Sequence, residues 1–310
     1  MSQLDLSTAR QSLYDLFAWG IGELREGAIP TARLDAELLL GEVLGFSRAQ
    51  LLARLDRMIP RSQSQHFVGL IERRKRREPV AYILGKQDFY GREFVVDHRV
   101  LIPRPETEEL VERALNALGG STSIPPALRQ AQEPHREGSR VADIGTGSGA
   151  IAVTLAAQMP TLHLAAVDIS RGALEVAREN ALRHRVEERI DFYEGSLLEP
   201  LFGLSPFDLI VANLPYVGTN EMDIVEPDVK KYEPYDALFA GPEGLDLFTP
   251  FFQQLSTQPL LRPGGVVLLE IGYAQGPPLL QLARSYFPRA RKIALHKDLA
   301  HHDRFLEIRD

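Results

Sequence analysis

The stretch VADIGTGSGAIAVTLA, residues 141–156, constrains this chain more than any other. A short apolar run ends at an aspartate and an isoleucine. Gly145, Gly147 and Gly149 then alternate with Thr146 and Ser148, and a long apolar run follows. Glycines permit a tight turn and let backbone N–H groups approach a ligand closely. The spacing therefore predicts a buried strand turned sharply into a helix, with a ligand loop between them.

The rhythm continues from residue 140 onward. Strands are expected near 140–144, 162–168, 189–194, 207–212, 265–271, 290–295 and 304–309, with helices centred near 150–158, 171–184 and 244–257. Seven strands alternating with helices predict an α/β fold, a mainly parallel sheet covered on both faces. Ligands in such sheets lie beyond the C-terminal strand ends, near the reversal of strand order.

At 310 residues the chain is long for one simple domain and suits two. Hydrophobic residues at 44% and charged residues at 25% allow a sizeable core in a soluble, globular chain. There is no cysteine, which excludes disulfides and thiolate metal sites. The acid-bearing start does not read as a signal peptide, and no apolar run is long enough to cross a bilayer. A formal charge of −7 argues against a general nucleic-acid binder.

Residues 1–80 carry 12 Lys+Arg against 10 Asp+Glu, so the negative balance belongs to the remainder. Arg73, Arg74, Lys75, Arg76 and Arg77 form a run with two readings: a solvated helix end, favoured by the C-terminal dipole, or a patch for an RNA-rich or acidic partner. The first is preferred.

Four domain segments are expected. Residues 1–78 read as a small helical, partner-binding bundle. Its first helix carries Leu13, Phe17, Ile21 and Leu24, with Tyr14 and Trp19 as packing residues. Pro30 suits the first turn of a second helix with the face Leu34, Leu38, Leu39 and a stop at Gly45. Ser47 caps a third through Leu51, Leu52 and Leu55, and a fourth runs from about Ser62 to Arg77. Residues 79–118 alternate around Gly85 and Gly91 and read as a hairpin, then a helix opened by Glu106 or Thr107. Residues 119–139, rich in Gly, Pro, Ser and Gln, read as a flexible insertion; 140–310 form the α/β domain.

Two features point to an adenosine-containing cofactor. One is the glycine loop; the other is Asp168, which ends AVDIS where a carboxylate accepts both hydroxyls of a ribose. Gly145, Gly147 and Ala150 also fit a dinucleotide loop. Two details favour S-adenosylmethionine instead. Asp143 would repel a pyrophosphate but hold an ammonium group, and no second dinucleotide half follows. Ile169, Ser196 and Leu197 complete the expected cofactor set, with Asn213 touching it.

The stretch VANLPYV, 211–217, ends an apolar strand in an amide followed by a stiff aromatic turn. Taken with REPVAYILGKQDFYGREFVVDHRVLIPRPETEELV, DIGTGSG, VDIS, YEPYDALFAGPEGLDLF and KDLAHHDRFLEI, it resembles the release-factor glutamine methyltransferase (HemK/PrmC) family from about Leu34 to the end, apart from 119–139. The resemblance implies a seven-stranded Rossmann-like methyltransferase domain with a helical N-terminal bundle and a hairpin linker. It implies S-adenosylmethionine as cofactor, and methylation of the side-chain amide nitrogen of the Gly-Gly-Gln glutamine in peptide-chain release factors. It also implies a cytoplasmic enzyme. A monomer is expected, with no membrane or sequence-specific nucleic acid among its partners.

The tetrapeptide has a physical rationale of its own. An amide nitrogen is a poor nucleophile because its lone pair is shared with the carbonyl. Two acceptors on its N–H bonds, the Asn213 side-chain oxygen and the Leu214 backbone carbonyl, would hold it and draw it from planarity. Tyr216 would stack on the flat amide, with Pro215 biasing Leu214 toward an extended conformation. Catalysis would then be mostly positioning. The family pattern usually has proline where Leu214 stands; leucine keeps the carbonyl but frees φ and adds a donor, which predicts a looser fit.

Arg104 and Glu106 of IPRPETE are expected either to orient the tetrapeptide or cofactor or to form a structural ion pair. Glu233, Pro234 and Glu243 are expected to wall the substrate cleft, and His301 and His302 to lie on the surface. No metal is expected. Alternative readings are a glutamine methyltransferase acting on a ribosomal protein, a nucleic-acid adenine methyltransferase, and a non-catalytic cofactor-binding partner of translation factors.

Overall fold

The computed structural model describes residues 10–119 and 138–310. The segment read as a flexible insertion therefore lies, over 120–137, outside the described residues. The chain divides into two compact units: residues up to Lys86 together with Glu226–Tyr232, and Gln87–Val225 together with Glu233–Asp310.

The first unit is helical, with one small sheet that the sequence did not announce. Strand β1 (Arg10–Ser12) pairs antiparallel with β2 (Met58–Pro60). Helices α1 (Leu13–Glu26), α2 (Ala32–Leu44) and α3 (Arg48–Leu52) lie between them, and α4 (Arg61–Lys75) and α5 (Val80–Leu84) follow. Gly45 and Ser47 act as expected, but Pro30 precedes the Thr31 cap of α2 rather than lying in its first turn, and α3 ends at Leu52, short of Leu55. Gly45 ends α2 in the left-handed conformation, and Ser47 with Gln50 forms a reciprocal capping box at α3. Leu13, Leu16, Phe17 and Leu24 of α1 pack with Ala36, Leu39 and Leu40 of α2 and Phe67, Leu70 and Ile71 of α4.

Three expectations about this bundle need correction. Tyr14 is 61% exposed, and Leu34, Leu38 and Leu52 also face outward. The buried stripe of α2 is Ala32, Ala36, Leu39 and Leu40, which one helical face can hold; Leu34 and Leu38 fall outside it. Trp19, by contrast, packs as expected, half-buried and edge-on to Phe67. The basic run is not a free patch: Arg76 alone is exposed at the helix end, and the other four cations are paired. Arg74 is buried, 2.6 Å from both Asp35 and Asp228, the latter carried by α9 (Pro227–Tyr232). Arg73 pairs with Glu78, Lys75 with Glu23 and Arg77 with Asp228. The cations cross-link the unit internally.

The second unit opens with the expected hairpin, β3 (Lys86–Phe89) and β4 (Arg92–Val95), although α5 occupies the start of the segment read as extended. Helix α6 (Pro105–Ala117) follows, with proline at its first position. Then come β5 (Arg140–Ile144), α7 (Ala150–Gln158), β6 (His163–Asp168), α8 (Arg171–Arg183), β7 (Ile190–Glu194), β8 (Phe207–Ala212), α10 (Phe248–Thr257), β9 (Leu261–Glu270), α11 (Gly276–Tyr286), β10 (Lys292–Lys297) and β11 (Asp303–Arg309). The strands form one sheet in the order β10-β11-β9-β8-β5-β6-β7. Strands β9 through β7 are parallel, and β11 and β10 add antiparallel at one edge.

Period-two alternation divides the core. Val141, Leu209, Val211 and Leu268 face α6 and α7, while Ala142, Ile144, Ile210, Ala212 and Leu269 face α10 and α11. Phe248, Phe251 and Phe252 of α10 are fully buried on the second face, each worth about 1.5–3 kcal/mol of transfer free energy.

Candidate active site

Register assembles the site. Ile144 is level with Val167 and Ala212, and Ala212 with Leu269. The next residue of each parallel strand is therefore Gly145, Asp168, Asn213 or Glu270, all on one edge of the sheet. Strand β5 is where the order reverses, with β6 and β7 on one side and β8 and β9 on the other. The glycine loop after β5 and the tetrapeptide after β8 flank that switch point, where α/β sheets bind ligands.

The loop is held tightly from below. Gly145 and Thr146 both donate backbone N–H to the Val167 carbonyl, at 2.8 and 2.9 Å, and Gly147 donates to Asp168 Oδ2 at 2.8 Å. Thr146 and Ser148 are buried and serve the loop itself. Thr146 Oγ1 donates to Asp143 Oδ2 at 2.7 Å, and the Ser148 carbonyl accepts from Asn180. The glycines differ in what they permit. Gly147 has φ of +56° and open space where a Cβ would stand, whereas a Cβ on Gly149 would crowd Val153 and Ala177 at 3.2 Å.

Asp143 is wholly buried. Its Oδ2 accepts from Thr146 and from the Ala152 N–H, while its Oδ1 has no hydrogen-bond partner. Burial pushes this carboxyl up to about 7, against the pull of those two donors. Asp168 is also raised by burial, and its oxygens receive the N–H groups of Ser170 and Gly147. Ile169 is 70% exposed beside it; Ser196 and Leu197 are half-buried on the loop after β7. The open space over Gly147, an acceptor at the end of β6 and the orphaned Asp143 oxygen fit a cationic cofactor bearing a ribose.

The tetrapeptide is anchored from behind. Asn213 Nδ2 donates to Thr107 Oγ1 at 3.0 Å. Thr107 donates to Glu270 Oε2 at 2.9 Å, and the Tyr216 hydroxyl reaches Glu270 Oε1 at 3.3 Å. Gln275 Nε2 donates to the carbonyls of Tyr216, Glu243 and Gly244, and its Oε1 accepts from Gly272. Leu214 is 3% exposed and belongs to the core under the sheet; a Cβ added to Gly145 would lie 3.5 Å from its Cδ2 and 3.7 Å from the Asn213 carbonyl oxygen. The leucine that replaces proline is thus a packed residue. Pro215 is half-buried in the same turn.

Arg104 takes the structural role. It donates to Glu233 Oε1 at 2.6 Å, and Glu233 Oε2 accepts from the Ile102 N–H at 3.1 Å. Glu233 is buried and clamps the IPRP loop rather than presenting a carboxylate to a cleft. Glu106 is exposed, and it is its neighbour Thr107 that meets the tetrapeptide. Pro234 is half-buried beside Glu233, and His301 and His302 are exposed as expected.

Sequence reasoning missed three contributors: Thr107 beyond its place at a helix start, Glu270 and Gln275. A hydroxyl in a first helical turn and a glutamate closing an apolar strand are commonplace. The one available signal was Glu270 itself, a charge ending the run VVLLE at the ligand edge of the sheet. Burial pushes it up to about 7, with Thr107, Arg304 and Tyr216 pulling it back; burial beside that acid also raises the Tyr216 phenol.

The fold and the site define a Rossmann-like methyltransferase domain. Residues 126–228 match the methyltransferase small domain model, and residues 15–85 match the PrmC N-terminal domain model. A release factor glutamine methyltransferase of Geobacter sulfurreducens is 40% identical over 262 residues, 84% of each chain. One of Nitratidesulfovibrio vulgaris is 35% identical over 303 residues, 98% of this chain and 97% of the relative. The catalytic domain of hMettl16, solved with a MAT2A 3'UTR hairpin, shares the fold with a TM-score of 0.53 at 14% identity, covering 82% of this chain and 84% of that one. The chain belongs to the release factor glutamine methyltransferase family.

Proposed function

We propose that this chain methylates the side-chain amide nitrogen of a release-factor glutamine, the one in the Gly-Gly-Gln loop, with S-adenosylmethionine as donor. The observation that carries the reading is the apposition, across the switch point, of Asn-Leu-Pro-Tyr and the glycine loop, with Leu214 and the Asn213 backbone against Gly145. Gly145, Gly147 and Asp168 would hold the cofactor, with Asp143 facing its ammonium end and Ile169, Ser196 and Leu197 its adenine. When bound, S-adenosylmethionine supplies an activated methyl group on a sulfonium sulfur.

This chain's residues then position the nucleophile. Asn213 Oδ1 and the Leu214 carbonyl accept the two N–H bonds of the substrate amide, and Tyr216 covers its face and excludes water. The nitrogen lone pair would form the new N–C bond as the methyl–sulfur bond breaks and leaves its electron pair on sulfur, and one N–H proton would then pass to solvent. No strong base is needed beforehand, so positioning supplies much of the rate; in favourable cases this is worth roughly 7–11 kcal/mol. The names of the relatives support release factors as the substrate class.

Incubation with methyl-labelled cofactor and purified release factor, ribosomal protein or DNA tests the reading. Label on the release-factor glutamine supports it. Label confined to ribosomal protein or DNA overturns the substrate, and cofactor binding without transfer overturns the catalysis.

A further inference from the structure

Glu270 closes β9 and is wholly buried. Each of its oxygens takes one hydroxyl, Thr107 on Oε2 and Tyr216 on Oε1. The Thr107 oxygen is in turn the partner of Asn213 Nδ2. The first and last residues of the tetrapeptide thus hang from a single carboxylate, Asn213 through a hydroxyl relay.

This relay has a direction. An ionised carboxylate only accepts, so Thr107 must give its one proton to Glu270. The threonine oxygen can then only accept, and the group of Asn213 that faces it must be the NH2. The carboxamide is planar, so its oxygen is turned away from Thr107. A neutral Glu270 removes the constraint. It can donate its own proton to Thr107, which is then free to donate to a flipped Asn213 amide. The flipped amide offers an NH2 where an acceptor is required.

We propose that Glu270 is a positioning residue for methyl transfer: acting through Thr107, it selects the Asn213 carboxamide orientation that offers an oxygen to the substrate amide. The proposal rests on the function given above and deepens it. The polar and charged groups around Glu270 are Thr107 and Glu106 of α6, Tyr216 after β8 and Arg304 of β11. Arg304, bonded to Asp298 and to the Ile271 carbonyl, favours the charged form; Glu106 opposes it. Burial outweighs both, so the carboxyl ionises near neutrality and the relay sets its direction in that range.

The test compares Thr107→Val, Thr107→Ser and Glu270→Gln with the wild type, measuring kcat and KM for a purified release factor and cofactor Kd by calorimetry. Thr107→Val keeps the shape and deletes the relay; it should lower kcat about 10- to 100-fold, as misorientation of a catalytic group does. KM and cofactor Kd should stay within about threefold, because the lost interaction acts on the transition state. Thr107→Ser, which keeps the hydroxyl, should restore most of that turnover. The wild-type kcat should rise with pH through about 7, and Glu270→Gln should lose that limb. Wild-type turnover in Thr107→Val, a loss that serine fails to restore, or a pH limb that survives Glu270→Gln each overturns the proposal. A wild-type enzyme that transfers nothing to a release factor overturns the underlying function instead, and that arm is read first.

Discussion

Gly244→Ala is the sharpest probe of how the tetrapeptide is held. Gly244 has φ of +70°, and a Cβ there would stand 1.9 Å from the Tyr216 carbonyl oxygen, 2.6 Å from its carbonyl carbon and 2.7 Å from Gln275 Nε2. Ordinary contact begins near 3.4 Å, so the Tyr216 carbonyl must retreat by about 1.5 Å. The left-handed conformation costs a residue with a Cβ about 1–2 kcal/mol, and each bond that Gln275 surrenders about 1 kcal/mol, which together make a loss of about 2–4 kcal/mol. For a unit of this size each kcal/mol moves the melting midpoint by about 2–4 °C, giving a fall of about 5–15 °C.

The effect on turnover should be larger than stability implies. A 1 Å misplacement near the chemistry can cost about 100-fold, and the strained carbonyl belongs to a tetrapeptide residue. The assay pairs thermal unfolding with methyl transfer at a temperature where the variant is fully folded. An unchanged midpoint with unchanged turnover refutes the turn geometry. A lowered midpoint with unchanged turnover refutes the coupling between this turn and the reacting amide.

Three further outcomes are expected. Asn213→Ala should remove most transfer while leaving cofactor affinity within a few-fold; a collapse of cofactor binding, read by calorimetry, would make Asn213 a cofactor ligand first. Arg74→Ala leaves the buried Asp35 and the largely buried Asp228 without their shared cation and should destabilise the first unit by about 3 kcal/mol or more, read from its denaturant midpoint. Asp143 and Glu270 titrate near 7 when folded, against about 4 when unfolded. Between those values the native state binds more protons, so their contribution to stability is full below about pH 4 and is lost as pH rises through about 7. Glu270→Gln should flatten the fall in urea midpoint from pH 5 to pH 8, and equal slopes for variant and wild type would contradict this.

What the sequence determined by itself was local. The turn after β5 demands glycine where φ is positive, and a single short stretch declares both the strand before it and the helix after it. The amide at the end of β8 is ordinary by itself and stands out only beside the glycine loop, Asp143 and Asp168. The period-two strands and the capping serine at α3 are equally short-range. Tertiary structure decided everything that depends on partners far apart in the chain. Thr107 and Glu270 meet across 163 residues, Arg74 and Asp228 across 154, and Arg104 and Glu233 across 129. In α2, packing chose the stripe of Ala32, Ala36 and Leu39 over the leucines beside it. Periodicity records which face of an element is apolar, but not which distant group will be brought against it. The anchor behind the tetrapeptide exists only once the register of β8 and β9 sets Asn213 and Glu270 on the same edge.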